Sequence, residues 1–332
     1  MGEIGSEFWN VPASGNGSGL FPLHTQWFLS GRSALRSIVR ELSDCHTVAM
    51  PSWCCDSMVE PFLEAGFQVR FYPVYWDGGL IQEPYTDCDV LYLMDYFGHT
   101  GQQCVPHACS SVVVQDLTHS LFSTPCVDAD YCFGSLRKWC GVWTGGYAWT
   151  RDGRVLTTGE AEDGVYIALR RDAMERKAAY ICGGSGGKDY LELFAQAEDR
   201  LERTGIAPAA QRDILLAQTL DVAGIQTRRR TNAETLRSAF AEWLLFPEME
   251  ETDCPMFVPV LVPDGRRDKL RSGLIRHEIY CPVHWPVSSC HRLDARERVL
   301  YENELSLVCD QRYTVENMQR MVNVIHSLWK EE

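Results

Sequence analysis

Apolar residues recur along 33–42 (SALRSIVREL) at Ala34, Leu35, Ile38, Val39 and Leu42, the spacing of one buried helical face. Thr47–Met50 is a short apolar run stopped by Pro51, which predicts a buried strand. A second helical face, Met58, Val59, Phe62 and Leu63, closes at Gly66, a C-terminal helix signal. The runs Val69–Val74, Val90–Met94 and Val112–Gln115 do not alternate with polar residues. Such runs suit strands covered on both faces, as in a parallel sheet. Strands alternating with helices predict a doubly wound α/β layer around a mostly parallel sheet.

From about 185 to 245 the pattern is helical, led by Leu191, Leu193, Phe194 and Ala197. Thr231 with Glu234 three residues on has the form of a capping box opening a helix before Leu236, Ala239 and Phe240. Gly183–Gly187 (GGSGG) predicts a loop. Arg228-Arg229-Arg230 reads either as a basic contact site or as a solvated turn before that capped helix. After Pro247 the chain changes character: strand 257–262, helix 266–274, strands 279–283 and 305–308, and helix 314–329 with Met318, Met321, Val322 and Ile325 on one face. The expected division is a large domain, 1–246, and a small C-terminal α+β domain, 247–332. No internal repeat or low-complexity tract interrupts either.

Composition narrows the class without choosing a function. A chain of 332 residues, 45% hydrophobic and 23% charged, is that of an ordinary soluble globular protein. No apolar run reaches the ~18 residues that span a bilayer. The start, MGEIGSEFWN, has no positive n-region or apolar h-region, so no secretory signal and a cytoplasmic location are expected. Gly2 and Ser6 match the loose myristoylation pattern, which is short enough to arise by chance. A net charge of −14 argues against nucleic acid or an anionic membrane as partner, so a phosphate-bearing ligand needs a local positive site. The 14 cysteines include Cys54-Cys55 and Cys104-x4-Cys109 but no C-x2-C pair and no matched histidine pair. Free, mostly buried thiols and no metal site are expected.

Three features fall at the ends of predicted strands, where open α/β sheets bind ligands. Ser30-Gly31-Arg32-Ser33 opens the first helix. Glycine admits a close ligand, free N–H groups at a helix start favour phosphate, Ser33 adds a hydroxyl and Arg32 a charge. Ordinary helix capping accounts for the same residues. The second feature is Val112–Asp116, an acid ending a buried strand, with His119 three residues on. It reads as a turn cap or as an anion held against a cationic ring nitrogen, because a buried carboxylate needs a partner. The third is Tyr131–Trp139 (YCFGSLRKW), followed by Gly145-Gly146. Lys138, between Leu136 and Trp139, is placed to be partly desolvated, which frees a neutral amine for Schiff-base chemistry. A surface lysine with a buried stem is the other reading.

The ordered set resembles the DegT-type family of pyridoxal-phosphate sugar aminotransferases, of fold type I, over nearly the whole chain. The resemblance rests on IGSEFW (Ile4–Trp9), GRSAL (Gly31–Leu35), PSWCCDS (Pro51–Ser57), DYFG (Asp95–Gly98), DLTHS (Asp116–Ser120), SLRKW (Ser135–Trp139) with its trailing glycines, and LSLVCDQRYTVENM (Leu305–Met318). It implies that Lys138 binds pyridoxal 5'-phosphate as a Schiff base and that Asp116 pairs with the pyridinium nitrogen. His119 would contact the phenolic-oxygen side of the ring. The Gly31 loop, the Arg32 and Ser33 amides, the Ser33 hydroxyl and Ser135 would hold the phosphate. Where the family places an aromatic residue over the cofactor face this chain has Cys55, with Trp53 or Cys54 as alternatives. Where the family sends a partner-subunit asparagine to the phosphate, Gly183–Tyr190 (GGSGGKDY) has none. The resemblance further implies a homodimer with each active site at the interface, an amino-acid donor such as glutamate, and a nucleotide-linked keto-sugar acceptor in polysaccharide biosynthesis. Two other functions remain open: a cofactor-binding sensor or assembly partner that does not transaminate, and a different reaction on the same scaffold, such as dehydration. Dehydrating relatives replace the lysine with histidine, and Lys138 disfavours that branch.

Overall fold

The computed structural model describes residues 2–10, 15, 19–100, 110–123, 128–184 and 187–330, and a seven-stranded sheet lies at its centre. The chain runs β1 (Ile4–Gly5), β2 (Gln26–Phe28), α1 (Gly31–Glu41), β3 (Thr47–Pro51), α2 (Asp56–Glu64), β4 (Gln68–Tyr72), β5 (Val74–Trp76), β6 (Leu80–Gln82), β7 (Val90–Met94), β8 (Val112–Asp116), β9 (Tyr131–Ser135) and β10 (Gly146–Thr150). Sheet order is β2-β10-β9-β8-β7-β3-β4. Strands β4, β3, β7, β8 and β9 pair in parallel, while β10 is antiparallel to both β9 and β2. Parallel neighbours need long crossovers, so the carboxyl ends of β7, β8 and β9 gather at one edge of the sheet.

Burial follows position in the sheet. Every residue of β7 and β9 is buried, whereas β4, at the edge, alternates. The run at 69–74, which Arg70 interrupts, therefore marks a half-covered edge strand, not one covered on both faces. Strand β12 (Ile279–Tyr280) also ends before the predicted Val283, since Pro282 has no N–H to offer a ladder.

Four helices follow the sheet: α3 (Gly164–Ile181), α4 (Tyr190–Arg203), α5 (Gln211–Gln218) and α6 (Val222–Ala239). The sequence pattern missed α3 because its buried stripe, Tyr166, Arg170, Ala173, Met174 and Lys177, includes two cations. Helix α6 starts earlier than the capping-box pattern predicts. Asp221 caps it by accepting from Gly224 N–H, and the Thr231 hydroxyl bonds back to Thr227 O inside the helix. Arg229 is not in a solvated turn: it is buried within α6, donates to Gln311, Pro255 O and Met256 O, and lies over Trp139 at 4.5 Å. Within the predicted glycine loop, 185–186 lie outside the described residues, as do Cys104 and Cys109.

The C-terminal part comprises β11 (Phe257–Leu261), α7 (Arg267–Arg276), β12, α8 (Ala295–Asn303), β13 (Glu304–Val308) and α9 (Val315–Lys330). A second hydrophobic core forms here, and it takes in Ile4 from β1 and Ala233, Leu236 and Phe240 from α6. Strand β1 pairs with β12, so the start of the chain is built into this unit. Among the described residues no helix is long and apolar enough to cross a membrane.

Asn232 fastens α6 to this unit: it is fully buried, and its amide donates to Cys309 O, Asp310 O and Tyr313 O. Replacing it with alanine leaves those carbonyls unpaired, and Asn232→Ala should lower stability by about 1–3 kcal/mol in urea titrations.

Candidate active site

Two glycines let the start of α1 press against the ends of β9 and β10, and a third, Gly134, lets Tyr147 pack on β9. A Cβ on Gly146 would lie 2.0 Å from Ser30 O, and one on Gly31 would lie 3.3 Å from the Ser135 Cβ. Gly134 is equally confined, with the Tyr147 hydroxyl 2.3 Å from where its Cβ would be. The first-turn N–H groups of α1 have no carbonyl a turn earlier to bond, and Ser30 serves the one on Ser33. Capping thus takes the Ser33 amide and leaves those of Gly31 and Arg32 for an anion, with Ser135 packed against Gly31.

Asp116 ends β8 and is buried. Its Oδ2 accepts from the Tyr92 hydroxyl at 2.6 Å and its Oδ1 from Thr118 N–H at 2.8 Å. Burial pushes its carboxyl above the usual range, against the pull of Thr118, Tyr92 and Lys138. His119 stacks on Trp285 at 5.5 Å and tilts against Phe97 at 5.0 Å. Burial, with help from His284 and Lys138, holds its imidazole well below its ordinary pKa and so neutral. Its Nδ1 is buried without a hydrogen-bond partner, an orphan that a ligand would satisfy.

Lys138 closes a short 3-10 turn, Leu136–Lys138. Leu136 and Trp139 are fully buried, and the Trp139 indole donates to Thr118 O at 2.8 Å. With both neighbours directed inward the lysine is turned outward. It is exposed in the single chain, not desolvated as its apolar flanks predict. It lines a cavity of about 160 Å³ together with Ser30, Gly31, Arg32, Cys55, Asp116, His119 and Ser135. It also lines a second cavity of about 370 Å³, where Arg137, Arg229, Arg271 and Arg312 face Glu7 and Asp310. This is the local positive site that an acidic chain requires for an anionic ligand.

Two predicted residues stand apart from the first cavity. The Ser33 hydroxyl donates to Gly205 O and Ala207 O and accepts from Ala207 N–H, which commits it to the segment after α4. Trp53 is buried against Tyr96 at 4.8 Å, its indole donating to His284 O at 2.7 Å, and it does not line the cavity. Cys55 does line it, its Sγ 3.0 Å from the Ser57 hydroxyl. Phe133 lines this cavity, and so does a second aromatic residue, Trp285, beside His284. The only sequence signal for it was an aromatic between prolines in CPVHWPV, distant from every strand-end motif. In the loop lacking the asparagine, Lys188 is engaged within its own chain, to Glu3 at 3.1 Å and the Tyr280 hydroxyl at 2.7 Å.

This architecture recurs in solved structures that cover almost the whole chain. The chain has the fold of the fold-type-I aminotransferases. Helicobacter pylori PseC, an aminotransferase involved in the biosynthesis of pseudoaminic acid, superposes with a TM-score of 0.63 at 15% identity, over 93% of this chain and 87% of that one. The PLP form of a sugar aminotransferase assigned in Streptococcus pneumoniae gives 0.60 at 15% identity, over 92% and 87%. A DegT DnrJ EryC1 StrS aminotransferase from Brucella abortus gives 0.59 at 14% identity, over 91% and 85%. No protein-family model matches the sequence, and comparison with curated proteins finds no match.

Behind the cavity lies a second acid. Asp95 accepts from Gln115 at 2.8 Å and Ser120 at 3.2 Å, and burial pushes its carboxyl up to about 7. The folded chain therefore holds a proton that the unfolded chain releases near pH ~4. Stability should fall by up to about 1.4 kcal/mol per pH unit as pH rises from ~4 through the folded value. In Asp95→Asn, which keeps an acceptor for both donors, denaturation measured across this range should lose that slope.

Proposed function

We propose that the protein is a pyridoxal-phosphate-dependent aminotransferase that moves an amino group from an amino acid, glutamate, to a keto sugar carried on a nucleotide. The observation that carries this reading is that Asp116, His119, Ser135, the start of α1 and Lys138 line one cavity. The fold shared with sugar aminotransferases supports it. The residues fit the cofactor: a buried acid, an orphaned imidazole nitrogen, and a glycine whose Cβ would crowd Ser135.

In this reading the Gly31 and Arg32 amides, the Arg32 side chain and the Ser135 hydroxyl hold the phosphate. Asp116, itself held by Tyr92 and Thr118, keeps a proton on the ring nitrogen. His119 offers Nδ1 to the ring's oxygen side. Cys55 and Trp285 flank the cavity in place of the family's stacking residue. Bound pyridoxal phosphate supplies the electron sink that makes the donor's α-proton labile. Lys138 would anchor the cofactor through Nζ, and its free amine would carry the donor's α-proton to the cofactor C4′, as general base and then acid. Exposure of Lys138 in one chain accords with a homodimer whose second subunit covers the site, and light scattering of the purified protein should give the mass of two chains.

Purified protein supplied with the cofactor should be yellow. Borohydride should abolish the visible band, and Lys138→Ala should never develop it. Glutamate should bleach the wild-type band. A colourless wild type overturns the reading, and a band unchanged by glutamate and other amino donors would mark a cofactor-binding protein that does not transaminate.

A further inference from the structure

The larger cavity beside Lys138 is walled on one side by the first residues of the chain. Gly5 and Ser6 both have left-handed backbone, with φ of 93° and 63°. At Gly5 a Cβ would meet Tyr280 O at 2.3 Å, so only glycine fits. This turn brings Glu7 into the cavity wall and its backbone is then tied down. Arg312 donates to Ser6 O and Glu7 O, and Lys177 donates to Glu7 O at 2.6 Å. Arg170 holds Glu7 Oε2 at 3.1 Å. The side chain nevertheless remains 45% exposed, and no described residue engages Oε1.

His284 lines the same cavity. Its Nδ1 lies 2.9 Å from the Ser306 hydroxyl, which donates to buried Glu304 at 2.5 Å. Because the Ser306 proton goes to the carboxylate, its oxygen accepts from Nδ1–H, and Nε2 is the ring nitrogen left for a ligand. The cavity thus presents the Glu7 Oε1 acceptor beside His284 Nε2, and an occupant that meets Glu7 must bring a donor. Ammonium groups are disfavoured by Arg137, Lys138 and Arg271 on the same wall. Hydroxyl groups are the neutral donors that remain.

We infer that Glu7, assisted by His284, reads the hydroxyl groups of the amino acceptor, which makes it a specificity-determining residue for a polyhydroxylated keto substrate; this rests on the aminotransferase reading. Glu7 does not take part in the donor half of the reaction. A diphosphate tail on the acceptor suits the cationic remainder of the cavity.

The test uses the cofactor-loaded protein and the variants Glu7→Gln and Glu7→Ala. The acceptor half-reaction is followed by return of the visible band with a UDP-linked keto hexose or with pyruvate, and unreactive UDP-glucose is titrated calorimetrically. Glu7→Gln should raise KM for the keto hexose about 10–100-fold with little change in kcat, and weaken UDP-glucose binding by a similar factor. Bleaching by glutamate and the reaction with pyruvate should stay within about twofold of wild type. Glu7→Ala leaves buried Arg170 without its nearest carboxylate; if it does not fold, Glu7→Gln decides. Normal glutamate bleaching with unchanged UDP-glucose affinity in Glu7→Gln, or an equal loss with pyruvate, overturns the Glu7 assignment alone. Absence of the band, or of bleaching, in wild type overturns the aminotransferase reading and this inference with it.

Discussion

The contact on which the site depends is the one between the first turn of α1 and the ends of β9 and β10. At Gly146 the backbone of one element occupies the volume that any side chain on the other would need, with 2.0 Å between a would-be Cβ and Ser30 O. That approach sets the free amides of a helix start beside Ser135 and, one short turn later, Lys138. Gly134, in the middle of this contact, leaves space for the Tyr147 hydroxyl, which bonds Leu117 O next to Asp116. The helix start, the acid and the lysine are therefore one rigid assembly, built mostly by backbone atoms.

Charge is distributed in a way the net value of −14 conceals. Cations that line or back the two cavities are each held by a specific partner: Arg137 on Glu198 at 2.7 Å, Arg312 on Asp310 at 2.7 Å, Arg170 on Glu7 at 3.1 Å. Glu198 is held down at about 2 despite its burial, through Arg137 and then Arg170. Buried ions require such partners, because removing one leaves the other uncompensated in a low-dielectric interior. The pairs therefore fix the geometry of the cavities more than they add to stability.

The N-terminal segment belongs to the same network. Lys177, fully buried on α3, meets Glu3 at 3.1 Å and Glu7 O at 2.6 Å, while Lys188 reaches Glu3 from the loop before α4. Burial pushes the Lys177 ammonium down to about 8, with Glu3 opposing the shift. A stretch of chain with almost no secondary structure of its own thus becomes a fixed wall beside Lys138, welded to helices from the other end of the large sheet.

The non-alternating apolar runs, set between helical stripes, determined the α/β layer, the parallel centre of the sheet and the order of its elements, because strands covered on both faces must be apolar throughout. Strand-end motifs likewise singled out Gly31, Asp116, His119, Ser135 and Lys138, which the folded chain brings to the lining of one cavity because they all lie at the carboxyl edge of the sheet or just beyond it. What the sequence could not determine depends on pairs far apart in the chain. Helix α3 was hidden because Arg170 and Lys177 are buried by carboxylates from residues 3 and 7, which makes a core stripe look polar. Arg229 looked solvated until Gln311 and two carbonyls received it. Trp53 went to the core and Trp285 to the cavity because the C-terminal unit folds back over the sheet, and the outward turn of Lys138 was set by its neighbours packing inward. Periodicity reports which face a segment buries; only the folded chain decides which distant group is waiting there.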